Sequence, residues 1–299
     1  MNILFDNVNF SSDSGPNSFA RKLAHQFKDE EHSIAVNGEN TPIDVQLSFI
    51  SNREKRASMA LRLDGIYFNS EQNWRLMNEP IKRSYEVADA VIFQSEFNKT
   101  LIEKYFGVHK NSHVIHNGTN LDWISKIEPI SPTVLDEFAG VWSCASSWRP
   151  HKRLEENIRF FLEHAPSDFC LVIAGDNLNI QVDDHRIFYA GKLDWVSLIG
   201  LYKRSETFLH LAWLDHCPNV VVDARASGCK IICSSTGGTK EIAGKGAVII
   251  EENPWNWDPI KLYHPPSMDF SKTSENKIDT NTSIAKTSKM YLGVLREIV

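Results

Sequence analysis

Residues 206–241, ETFLHLAWLDHCPNVVVDARASGCKIICSSTGGTKE, constrain the fold of this chain more than any other stretch. TFLHLA (207–212) and KIICS (230–234) are short apolar runs of the kind that buried strands show. Between them, Trp213 to Pro218 reads as a loop, and Asn219 to Ser227 as about two to three helical turns. Pro218 suits a helix start, where its missing N–H would go unbonded in any case. Gly228 suits the helix end. STGGTKE then leads through a Gly-Gly loop toward another helix. Two such strands joined by a helix make a βαβ unit with parallel strands.

The same alternation recurs on both sides of this stretch. ILFDNV (3–8) predicts a first strand, 11–16 a turn-rich loop, and Asn17 to Phe27 an amphipathic helix with Phe19, Leu23 and Phe27 on one face. SIAVNG (33–38), VQLSFI (45–50) and residues 89–95 are further strands, and 72–86 and 96–106 are helices. Ser95 is placed to cap the second of these. HVIHNGTNLDWI (113–124) reads as a strand and a turn at Asn117-Gly118. Residues 125–138, with Pro129 and Pro132, read as a linker. Beyond it come a strand at 141–146, a helix from Arg153 to His164, strands at 169–175 and 186–191, and a helix at 194–204. AVIIEE (247–252) is expected to close the sheet. Residues 265–284, rich in Ser, Thr, Asn and Lys, read as irregular, and a last helix spans Ile284 to Val299. Two parallel-sheet α/β domains follow, over 1–128 and 129–264, with 265–299 as an added segment and helix.

At 299 residues, with 42% apolar and 23% charged side chains, the chain has the make-up of a soluble two-domain protein. The net charge of −6 gives no reason to expect nucleic acid. No apolar run approaches the roughly 18 residues of a membrane span. The N-terminus runs straight into a strand and does not read as a signal peptide. Cys144, Cys170, Cys229 and Cys233 lie in apolar runs, and no C-x-x-C occurs, so a cytoplasmic setting with buried thiols is expected. No G-x-G-x-x-G follows the first strand, which argues against a dinucleotide site. Asp183-Asp184-His185 lacks further ligand spacing and reads as a solvated loop. Arg53, Lys55, Arg56 and Arg62 form a basic cluster, read as a solvated helix face or as a contact for an anionic acceptor or a membrane surface. Asp64-Gly65 is a turn signal at the end of a short apolar segment.

Asp215 and Asp223 bracket the helix of the organising stretch. A helix N-terminus offers N–H groups and a positive dipole end. A diphosphate there would meet the amides of Asn219 and Val220, with Asp215 reaching one end of the ligand and Asp223 the other. That suits a nucleotide sugar, although acids near a helix start are also common as plain surface charges. Arg149 and Lys152, three apart in a strand-end loop, form a candidate diphosphate clamp; the alternative is two solvated cations.

These residues together resemble the donor-site signature of retaining glycosyltransferases of family 4, which have the GT-B fold. That signature is an acid, seven residues, a second acid, small residues, a Gly, a buried strand and Gly-Gly-x-x-Glu. Here it reads Asp215, His216, Cys217, Pro218, Asn219, Asp223, Ala224, Ala226, Gly228, Gly237, Gly238 and Glu241. The loop with Gly15, the strand ending in Ser95, the Asn117-Gly118 turn, Lys152 and Gly175-Asp176 also match. Three departures stand out. Both acids are Asp where Glu is usual, His216 replaces a Gly, and Ser147 stands at the usual Arg, which leaves Arg149 as its candidate substitute.

The resemblance implies two Rossmann-like domains facing a cleft, with the C-terminal helix packing back on the first. It implies retaining transfer of a sugar from a UDP-, GDP- or ADP-sugar to a hydroxyl of a glycan or lipid-linked glycan, with no metal or other cofactor. Asp215 would orient the sugar, and Lys152, Arg149 and the amides after Pro218 would stabilise the departing diphosphate. Asp223 would hold the ribose, with His216, Cys217, Pro218, Asn219 and Val220 lining the donor site. Gly15 would face the phosphates, and Asp64 or Arg62 the acceptor or sugar. The alternatives are a nucleotide-sugar-binding partner subunit without transfer, and an epimerase or hydrolase on the same scaffold. A peripheral membrane contact through the first domain stays open.

Overall fold

The computed structural model describes residues 1–39, 41–178 and 180–299. They form two units, one of 1–120, 257–260 and 283–299, the other of 121–256 and 261–282.

In the first unit the strands are β1 (Asn2–Asp6), β2 (Ser33–Val36), β3 (Val45–Phe49), β4 (Met59–Leu63), β5 (Ala90–Phe93) and β6 (Ser112–Val114). They lie in the order β2-β1-β3-β4-β5-β6, and every neighbouring pair is parallel. The interior strands β3, β4 and β5 are buried along their whole length, as the strands of a sheet covered on both faces must be. The helices are α1 (Gly15–Asp29), α2 (Trp74–Val87) and α3 (Glu96–Phe106), with a C-terminal helix at Ile284–Glu297. Phe19, Leu23 and Phe27 of α1 and Tyr291, Leu292 and Leu295 of the C-terminal helix share one core with β1 and β3. The cap expected at Ser95 is formed: its Oγ accepts from the Asn98 N–H at 3.0 Å. At the Asn117-Gly118 turn, a Cβ on Gly118 would sit 2.7 Å from Thr287 Oγ1 and 2.9 Å from Ile284 Cα, so no side chain fits there.

The basic cluster departs from its expectation. Residues 59–63 are a central strand, not part of a solvated helix face, and Arg62 within it is fully buried. Its Nε donates to Tyr291 Oη at 3.1 Å, its Nη2 donates to Asn117 Oδ1 at 2.9 Å, and its Nη1 pairs with Asp64. The guanidinium plane lies 4.4 Å from the Phe19 ring centroid. A planar cation can be buried where acceptors meet its edge and an aromatic ring meets its face.

The second unit holds β7 (Gly140–Ser147), β8 (Phe169–Asp176), β9 (Ile187–Gly191), β10 (Thr207–His210), β11 (Lys230–Ser234), β12 (Val248–Ile250) and β13 (Thr273–Glu275). Their order is β13-β12-β11-β10-β7-β8-β9, parallel except for β13. The helices are α4 (Leu121–Lys126), α5 (Leu154–His164), α6 (Trp195–Arg204), α7 (Asn219–Ala226) and the short α8 (Thr239–Ile242).

The segments read as a linker and as an irregular stretch both contribute ordered parts to this unit. In the expected linker, Leu135 joins the unit's core from a 3₁₀ turn at Thr133–Glu137, alongside Ile124 of α4. In the expected irregular stretch, β13 pairs antiparallel with β12, so 247–252 does not close the sheet. Met268 and Phe270 anchor that stretch in a buried cluster. Two apolar side chains in a polar run are too few to show periodicity, which is why pattern reading passes over them. Asp184, expected in a solvated loop, pairs with Arg186 at 3.4 Å. Among the described residues no helix is long and apolar enough to cross a membrane. All five cysteines are free and buried, and burial pushes the Cys229 and Cys233 thiols up to about 12.

Candidate functional site

In the second sheet β7 pairs with β8 on one side and β10 on the other, so chain direction across the sheet reverses between β7 and β10. At such a switch point the loops leaving neighbouring strand ends diverge and leave a crevice. The loop after β7 carries Arg149 and Lys152. The loop after β10 carries Asp215 and runs into α7. Topology alone therefore brings Lys152 and Asp215 to one place from 63 residues apart.

Lys152 ends a 3₁₀ turn, Pro150–Lys152, in which its N–H donates to Arg149 O at 2.8 Å. The next residue, Arg153, sits in the left-handed region at φ 53° and is the N-cap of α5. The Arg153 side chain is buried and pairs with Glu252 at 2.7 Å; Glu252 in turn accepts from Thr236 Oγ1 at 2.6 Å. The His151 carbonyl accepts from the Trp213 N–H at 2.7 Å, which ties the loop after β7 to the loop after β10.

Asp215 is the hub. Its Oδ2 accepts from Lys152 Nζ at 2.5 Å and from His210 Nε2 at 2.9 Å, and its Oδ1 accepts from the His216 N–H at 3.0 Å. Its carbonyl accepts from the Gly238 N–H at 2.7 Å. Gly237 runs alongside at φ 100°, and a Cβ there would lie 2.5 Å from Asp215 O. Both the positive φ and the close approach require glycine. Burial on its own would raise the Asp215 carboxyl. The Lys152 ammonium and the His210 hydrogen bond override it and hold the group well below the ordinary carboxylate range. Burial lowers His210, and it lowers His216 to about 4 and His151 to about 3, the last with help from Lys152. All three rings are thus neutral at pH 7 around a charged Lys–Asp pair.

Downstream, Pro218 is the residue before α7 rather than within it, and Asn219 and Val220 open the helix. First-turn N–H groups of a helix have no acceptor inside it. Asp223 is buried in α7, and its Oδ2 accepts from Trp195 Nε1 at 3.0 Å. The Cys217 side chain points into the unit's core, so only its main chain is available to a ligand. Arg149 is exposed, and its carbonyl holds the Lys152 turn. Lys152, Asp215, His216 and the α7 start are therefore one cluster of the second unit. Gly15 opens α1 and Asp64 follows β4, both in the first unit. Burial raises the Asp64 carboxyl, against the pull of Arg62.

Three residues of this neighbourhood escaped sequence reading. His210 was legible in principle, as the single titratable group in the apolar run 207–212. Trp195 and Arg153 carried no local signal, because their partners lie far along the chain.

No protein-family model matches the chain, and no curated protein matches it by sequence. Among solved structures, HepE from Anabaena in complex with UDP-glucose is similar over 100% of this chain and 98% of its own, at 15% identity and a TM-score of 0.64. Sucrose-phosphate synthase from Thermosynechococcus elongatus is similar over 99% and 94%, at 11% identity and a TM-score of 0.64. WaaG, a glycosyltransferase involved in lipopolysaccharide biosynthesis, is similar over 99% and 90%, at 11% identity and a TM-score of 0.62. At these identities the likeness establishes the fold: the two parallel-sheet units are those of GT-B proteins.

Proposed function

We propose that this chain is a glycosyltransferase that takes its sugar from a nucleotide-sugar donor held at the switch point of the second unit. The observation that carries this reading is the half-buried pair Lys152–Asp215, set beside the first turn of α7. The cation and the helix N–H groups suit a diphosphate, and the carboxylate suits sugar hydroxyls. HepE, which has this fold, was solved with UDP-glucose, which supports the donor class and makes a UDP-sugar the first to try; GDP- and ADP-sugars follow.

In the reaction, the bond from the anomeric carbon to the diphosphate oxygen breaks and a bond to the acceptor oxygen forms. The acceptor's proton passes to the departing phosphate oxygen. Attack on the face from which the diphosphate leaves gives retention, the outcome implied by the family resemblance. Charge builds on the diphosphate as it leaves. Lys152, Arg149 and the amides of Asn219 and Val220 stabilise that charge, so the step needs no metal. Asp215 orients the sugar and favours positive charge at the anomeric carbon. Asp223 holds the ribose, and His216 and Pro218 line the donor. The acceptor is a hydroxyl of a glycan or lipid-linked glycan, and the roles of Gly15 and Asp64 of the first unit toward phosphates and acceptor rest on the family resemblance.

Lys152→Ala tests this. It is expected to lower donor turnover by about 10²- to 10³-fold in protein that remains folded. Undiminished turnover would remove Lys152 from the chemistry.

A further inference from the structure

We infer that His210 is the positioning residue that holds the Asp215 carboxylate in place when Lys152 is engaged by a diphosphate. The inference rests on the donor site proposed above and assigns a role within it to a residue outside the donor-binding stretch.

One oxygen of Asp215, Oδ2, takes two donors: Lys152 Nζ at 2.5 Å and His210 Nε2 at 2.9 Å. The two donors differ in freedom. Lys152 ends a short turn, has a flexible four-carbon stem and is a point charge that can turn toward phosphate. His210 closes β10, which lies between β7 and β11, and its ring is 4% exposed, parallel to the Phe208 ring at 6.3 Å. The ring is therefore fixed by the sheet. A diphosphate that draws Lys152 away removes the shorter of the two bonds to Oδ2 and leaves the other. Among the described residues the other hydrogen bonds of Asp215 come from backbone N–H groups: His216 to Oδ1 and Gly238 to the carbonyl. Without His210, Oδ2 would be held, among the described residues, only by the cation that the phosphates compete for.

A neutral ring suits this task. Burial lowers His210, so the Nε2–H tautomer can donate to the carboxylate without adding a second positive charge beside Lys152. The arrangement predicts a division of labour. Lys152 serves both ends of the donor, whereas His210 affects only the sugar end, through Asp215.

The test compares wild type, His210→Leu and His210→Gln, with UDP and UDP-glucose as probes. Gln can offer an amide N–H on a side chain of similar reach. His210→Leu is expected to bind UDP within about twofold of wild type and to lose about tenfold or more in UDP-glucose turnover. His210→Gln is expected to recover most of that loss. Equal turnover by wild type and His210→Leu would overturn the inference. So would a His210→Gln variant as poor as His210→Leu, or a parallel loss of UDP binding, since both mark a merely structural role. If wild-type protein neither binds nor turns over these probes or their GDP and ADP counterparts, the donor-site reading itself fails. Histidine ¹⁵N NMR still decides the contact in that case. The expected result is an Nε2–H tautomer for His210 that changes on Asp215→Ala; no change would overturn the contact.

Discussion

Asp215 shows how a single carboxylate can be kept charged while nearly buried. Its side chain is 14% exposed and that of Lys152 is 18% exposed, so each would meet a large desolvation cost alone. They are held together with a third donor, and the carboxyl falls well below its usual range. Removing one partner is therefore worse than removing a surface charge. Lys152→Ala should lower stability measurably in urea as well as turnover, and Lys152→Arg should restore stability ahead of activity.

The same cluster sets a pH dependence. His151 and His216, at about 3 and about 4, stay neutral in the fold, whereas in the unfolded chain each takes up a proton below about pH 6.5. Their contribution is full above about 6.5 and is lost as pH falls toward 4. Asp215 adds its own loss only below about pH 4, the unfolded carboxyl's range. The melting temperature should thus fall between pH 7 and 5, and replacing both His151 and His216 by Asn should flatten that fall. At this scale the sequence showed Lys152, Asp215 and Asp223, because each stands in a recognisable spacing. It could not show that Trp195 fills an oxygen of Asp223 or that Arg62 is buried, since those contacts join distant segments.

Loops and short helices carry the site, and glycine decides where they can go. Gly237 combines φ 100° with backbone contact to Asp215. Gly237→Ala should cost on the order of 1–3 kcal/mol in unfolding free energy and weaken nucleotide binding by moving Asp215. In the first unit the corresponding weak point is the buried set Arg62, Asp64, Asn117 and Tyr291. Arg62→Leu would leave the Asp64 carboxylate without its cation, and a loss of about 3–5 kcal/mol is expected in denaturant unfolding. Element reading from the sequence worked where apolar runs were continuous, as in β5 and β8, or only briefly interrupted by polar residues, as in β3 and β7. It failed at β4, where Arg62 in a short apolar run masked a central strand. It also failed at β13, whose three exposed residues have no apolar face to mark them.

Across the whole chain, the alternation of strands and helices was enough to predict two parallel sheets, because parallel pairing requires a crossover between strands. What alternation does not give is strand order, and strand order makes the site. The reversal between β7 and β10 places the loop of Lys152 beside the loop of Asp215. The most direct test of a donor site there is a thermal-shift series of UDP, GDP and ADP with their sugars, run with and without EDTA, on wild type and on Asp215→Ala. A ligand at about 100 times its Kd adds roughly 2.7 kcal/mol of apparent stability. The expected result is a clear rise with one nucleotide and its sugar, unchanged by EDTA, with the added effect of the sugar lost in Asp215→Ala. No rise with any of these nucleotides would contradict the donor site and favour a partner subunit without transfer.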